Sequence, residues 1–187
     1  MPGRILLTAA AGLAVALLMA GDSPHAGAPQ YNTKGELQFP ADYREWVFLS
    51  SGLGMSYGSG TPNAEDPPFD NVFVLPSAYK AFLETGRWPD QTVFILEVRA
   101  STSNGSINKA GHFQTDLLAI EAEVKDASRF PGKWAFFSLG KGATAGRQLP
   151  TTEACYSCHA EHGAVDNTFV QFYPTLLTVA RQKGTLK

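Results

Sequence analysis

Near the C-terminal end the chain reads Cys155-Tyr156-Ser157-Cys158-His159, two thiols three positions apart with an imidazole directly after the second. Two thiols at that spacing reach the two vinyl groups of one porphyrin, and the adjacent imidazole falls under the metal. The pattern is that of a covalently attached c-type haem, one per chain, with His159 as the axial ligand to iron. These are the only two cysteines, so no thiol is left for a disulfide, a zinc site or a nucleophile. Zinc would need four ligands, and His112 and His162, the histidines outside the motif and the leader, lack zinc-finger spacing. A thioredoxin-like dithiol sits after a strand at the start of a helix in a cytosolic fold. Here the pair lies late in the chain and is followed by histidine.

The N-terminus supports export. One charge at Arg4 precedes an apolar run from Ile5 to Ala20, and small residues continue to Ala28. This predicts a signal peptide over residues 1–28, cleaved between about 20 and 28. The run is shorter than the roughly 20 residues that span a bilayer, and no positively charged stop follows it. The expected location is therefore the periplasm, with no membrane attachment after cleavage. Residues 29–187 suffice for a single haem-binding domain with its own core. A net charge of −2 without a basic run excludes a nucleic-acid partner.

The hydrophobic pattern predicts an α+β domain, mostly antiparallel sheet with a few helices and the haem-bearing helix near the C-terminus. Trp46 to Leu49 reads as a strand ending in a Gly/Ser loop from Ser50 to Gly60, and Thr61 to Asp70 as a further loop. Val72 to Leu75 is a short strand. Pro76 suits the first turn of a helix to Thr85, closed by Gly86. Thr92 to Val98 is rich in β-branched and aromatic residues, a strand signature, and Ser101 to Gly111 reads as a loop. Leu118, Ile120, Ala122 and Val124 alternate with polar or small residues, predicting a half-buried strand, and Trp134 to Leu139 gives another. Thr151 or Thr152 is the expected cap of the haem helix, with Glu153 in its first turn. Pro174 to Gln182 predicts a final helix with Arg181 and Lys183 at its end.

The iron's sixth position has no obvious owner. Residues 160–187 contain no methionine, and Met55, in the Gly/Ser loop, is the single one past the leader. His162, one helical turn past His159, neighbours that ligand rather than facing it. His112 is a candidate distal residue. The expectation is a five-coordinate iron with an open face, which binds or activates small molecules rather than only passing electrons.

Several segments occur in a recognisable order: Tyr43-Arg44-Glu45-Trp46-Val47, Thr85-Gly86-Arg87-Trp88, Gly111-His112-Phe113, Glu121 to Asp126, Trp134-Ala135-Phe136, Leu149 to His159, and Phe172-Tyr173-Pro174. Together they resemble the cytochrome P-460 family, which includes the cytochromes c′-beta. The resemblance implies a homodimer of mostly antiparallel β domains, each with a five-coordinate haem in a pocket walled by the sheet. It also implies, in members that oxidise hydroxylamine, a lysine bonded to the porphyrin and placed directly before a glutamate on the strand matching Thr92 to Val98. In this chain the residue before Glu97 is Leu96, whose alkyl side chain cannot form that bond. Lys80 and Lys109 are the possible substitutes. The chain is therefore more similar to the c′-beta branch, which binds nitric oxide and carbon monoxide in an apolar pocket.

Further site candidates are Phe69, Phe73 and Phe94 as an aromatic cap beside Leu96, and Glu121 as a catalytic acid/base. Arg44, Arg99 or Lys133 are candidates for the haem propionates. Three functions follow: a haem protein binding nitric oxide, a hydroxylamine-oxidising enzyme, and an electron carrier with a periplasmic redox partner.

Overall fold

The computed structural model describes residues 28–57 and 65–187. The expected leader, apart from Ala28, and part of the expected Gly/Ser loop lie outside the described residues. The described chain forms seven strands: β1 (Leu37–Gln38), β2 (Val47–Leu53), β3 (Phe69–Val74), β4 (Val93–Thr102), β5 (Phe113–Lys125), β6 (Trp134–Ser138) and β7 (Ala145–Gln148). They make one sheet in the order β1-β7-β6-β5-β4-β3-β2, every neighbouring pair antiparallel. Three helices complete an α+β fold: α1 (Pro76–Thr85), α2 (Ala154–His162) and α3 (Pro174–Lys183). None of the described helices is long and apolar enough to cross a membrane.

Local chemistry sets the helix ends. Pro76 and Pro174 open α1 and α3 where a missing N–H costs nothing. Gly86 and Gly184 close them at φ 71° and 65°, a region that disfavours any side chain. Arg181 and Lys183 lie in the last turn of α3, where cations suit the helix dipole.

Strand parity divides the molecule into two faces. On β4, Phe94 and Leu96 project to one side, Ile95 and Glu97 to the other. Pairing of Leu96 with Glu121 and of Phe94 with Glu123 places both glutamates of β5 on the first side. β6 splits in the same way. Phe136 meets Tyr156 and His159 of α2, with ring centroids 4.8 and 4.6 Å apart. Phe137 packs on Tyr31 and Phe130 behind the sheet. Fully buried Phe82 and Trp88 pack at a tilt with ring centroids 4.2 Å apart, joining α1 to Phe94. Each such buried side chain contributes about 1.5–3 kcal/mol.

Some elements differ from expectation. β2 runs on to Leu53 and β3 starts at Phe69, because their ladder extends through Gly52 and Asp70 into both expected loops. β4 likewise continues through Ser101 and Thr102. β1 and β7 are too short to show a pattern. α2 is entered through Glu153, with no side-chain cap, and Thr151 and Thr152 lie exposed in the preceding turn. Ile120, Ala122 and Val124 are buried, but Leu118 is 55% exposed. Val98 pairs with Ala119 and Arg99 with Leu117, so Leu118 is the extra residue of a bulge and turns outward.

Candidate haem-binding site

α2 lays Cys155, Cys158 and His159 along one wall of a cavity of about 490 Å³, whose opposite wall is the sheet face carrying Phe94 and Leu96. That size is ordinary for a cofactor pocket, roughly 300–1,000 Å³. No disulfide joins the two thiols. Burial, then the charge of Glu121, pushes the Cys155 thiol up, so it is not a reactive thiolate in its own right.

His159 is held by its surroundings. Its Nδ1–H donates to the carbonyl of Asn167 at 2.8 Å, which leaves Nε2 to bind a metal. Phe136 and Phe169 flank the ring, with centroids 4.6 and 4.4 Å away. The loop that offers the Asn167 carbonyl is pinned on both sides. Asp166 pairs with Lys125 at 3.1 Å, and the Thr168 hydroxyl accepts from Trp88 Nε1 at 2.7 Å. The loop also approaches the end of α2 very closely. A Cβ at Gly163 would sit 2.6 Å from the His159 carbonyl and 2.7 Å from the backbone carbon of Asn167.

Three carboxylates line the cavity: Asp70, Glu121 and Glu123. Glu123 is 8% exposed and stands in its strand row between Phe94 and Phe136. Its Oε1 lies 3.3 Å from His159 Nδ1, within ion-pair reach, yet makes no hydrogen bond, because that N–H is aimed at Asn167. Burial pushes Glu123 up and the imidazole beside it pulls it partly back. His159 shows the reverse. Burial draws it down, but Glu123, the Asn167 carbonyl and Glu121 together hold it above its ordinary value. Burial also raises Glu121, and raises Asp70 with a further push from Glu121.

The other expected site residues divide clearly. Phe94, Leu96 and Glu121 line the cavity, Leu96 between Val72 and Glu121 in the row. Phe73 does not: it projects behind the sheet, against Tyr43 and Phe48. Phe69 shares its parity on β3 and is also absent from the wall. His112 is outside as well, its Nε2 2.8 Å from the Glu65 carbonyl. Arg44 and Arg99 both bind Glu97 on the far face, away from the cavity. Lys133 is in the turn before β6, and Lys80 and Lys109 are likewise not on the wall. Met55 does reach it, its sulfur lying over Gly52, where a Cβ would come within 2.4 Å.

Tyr57, Asp70, Glu123, Phe136, Phe169 and the Asn167 carbonyl belong to the site without having been expected there. Strand parity from Glu121 would have found Glu123. Asn167 acts through its backbone and leaves no side-chain signal.

The donor set suits haem: two thiols and an imidazole on one wall, aromatic rings around them, and a buried carboxylate oxygen left without a hydrogen bond. Cys155, Cys158 and His159 are the residues that would hold the group. No curated protein matches the chain. The sequence pattern described as Cytochrome P460 matches residues 40–170, from just before β2 to just past the loop that grips His159, so the chain belongs to that family of c-type cytochromes, whose cofactor is haem.

Proposed function

We propose that this chain is a periplasmic cytochrome with one haem, bonded to Cys155 and Cys158 and five-coordinate through His159, that binds small nitrogen-oxide ligands, nitric oxide first among them. Bound there, the haem supplies an open iron position and a one-electron redox centre. The observation that carries the reading is Leu96. It stands in the cavity wall with Val72 on one side, where the family likeness implies a bonded lysine in hydroxylamine oxidisers. No lysine or arginine lines the cavity among the described residues. Leu96, Val72 and Phe94 exclude water and disfavour anions, an environment suited to a neutral diatomic ligand. A homodimer and an exported location complete the proposal, the first from family likeness and the second from the leader.

The ferrous spectrum of the purified protein, with and without nitric oxide, tests it. An ordinary c-type Soret band that shifts on adding nitric oxide is expected. A strongly red-shifted band before any ligand would reveal a modified macrocycle and sink the argument from Leu96. A six-coordinate low-spin resting spectrum would instead make Met55 a ligand and favour electron transfer.

A second reading, oxidation of hydroxylamine, is favoured by one observation: Glu121 faces the cavity rather than solvent, with Asp70 near it. A carboxylate there can take a proton from a bound N–H group. Sustained oxidation of hydroxylamine with an added electron acceptor, lost in Glu121→Gln, would establish this reading over the binding-only one.

A further inference from the structure

We infer that Glu123 is a positioning residue that acts through His159 to hold the haem iron toward its ferric state. The inference needs His159 as the iron ligand and is independent of which small molecule the open face takes.

Two acceptors surround one nitrogen. The Asn167 carbonyl, 2.8 Å from Nδ1, fixes the tautomer and the ring plane. The Glu123 carboxylate, 3.3 Å from the same atom, adds a negative charge at the ring edge. Among the described residues His159 is the one basic side chain within ion-pair reach of that carboxylate, and Oε1 has no hydrogen bond there. Its row neighbours Phe94 and Phe136 are apolar, so the field of that charge is weakly screened. A carboxylate beside a ligating imidazole raises the basicity of the ring. A more basic ligand, with a negative charge behind it, stabilises the higher charge of ferric over ferrous iron.

The buried position has a second meaning. An unsatisfied carboxylate oxygen inside a protein costs free energy, and nothing else among the described residues uses this one. Glu97, on the opposite face, shows how the same side chain is satisfied when its task is structural: Tyr43, Arg44, Asn71 and Arg99 all donate to it. Among the described residues Glu123 has no such donors, and it points at the imidazole that would hold iron.

The test is potentiometric and spectroscopic on the intact holoprotein. Glu123→Gln keeps the shape and removes the charge. The ratio of ferrous to ferric protein at a fixed potential should rise about tenfold, which is about 59 mV for one electron. The ferrous iron–histidine stretching band should fall in frequency, and Glu123→Asp should restore part of both effects. Glu121→Gln removes a charge from the same cavity without touching Nδ1 and should leave that band in place. An unchanged potential and band in Glu123→Gln would overturn the inference. Should that variant not fold, the unmodified protein decides: a high-frequency, imidazolate-like band supports the role, and a low-frequency band typical of a neutral imidazole refutes it. A His159→Gly protein that kept the native spectrum would instead refute ligation by His159, a separate failure.

Discussion

Glu97 and Glu123 stand on adjacent strands of one sheet, both buried, and face opposite sides of it. Glu97, 1% exposed, is enclosed by donors. The Tyr43 hydroxyl, the Asn71 amide and the guanidinium groups of Arg44 and Arg99 reach it, the last at 2.6 Å. Burial alone would raise its pKa, but those hydrogen bonds bring it below the ordinary 4.5. Glu123 has one imidazole and an oxygen without a hydrogen bond, and burial leaves it above that value. The difference separates two uses of a buried charge. One ties β3, β4 and the Tyr43 turn together. The other is kept incompletely paired in a cavity built for a cofactor.

The comparison breaks most visibly at Glu97. Glu97→Ala strands two guanidinium groups and an amide, and should lower unfolding free energy by about 3–5 kcal/mol, read as a lower urea midpoint at unchanged slope. Its pH dependence follows from the sign of the shift. A carboxyl with a depressed folded pKa contributes stability above 4.5, and that contribution is lost as pH falls toward the lower folded value. Native protein should therefore lose stability below pH 4.5 more steeply than Glu97→Gln, measured by urea unfolding across pH; equal slopes would refute the pairing. Asn71→Ala removes the amide shared by Glu97 and Gln114 and should cost about 1–2 kcal/mol. Arg44→Ala removes a partner that is 53% exposed and should cost under about 1 kcal/mol. Glu123→Gln should change the unfolding midpoint least, by at most about 1 kcal/mol in either direction. A loss as large as that of Glu97→Ala would erase the distinction between the two residues.

The legible parts of the molecule were those written in local pattern. Two thiols and an imidazole at fixed spacing, a proline-opened helix closed by Gly86, and the β-branched run of β4 each carry their structure within a few residues. The far face of β5 was legible too, since Ile120, Ala122 and Val124 alternate. Its near face was legible only in part. Glu121 was singled out and Glu123 was missed, because a cavity wall and a solvated face present the same polar letters. Phe73 misled for the complementary reason: an aromatic side chain suits a core on either side of a sheet, and only register assigns the side. Met55 reaches the cavity because Gly52 has no side chain in its way, a contact no periodicity encodes.

Gly163 gives the site an uneven tolerance to change. The atom that orients the His159 imidazole is a backbone carbonyl, so almost any residue at position 167 would still present it. The position that cannot vary is four residues earlier, where a single methyl group would collide with the His159 carbonyl and the backbone of Asn167. If the chain carries haem as proposed, damage there would be of an unusual kind: both thioether bonds could still form and the protein would keep its colour, while the imidazole lost its bearing. Stained gels would score such a variant as intact, and only its ligand-sensitive spectrum would reveal the fault.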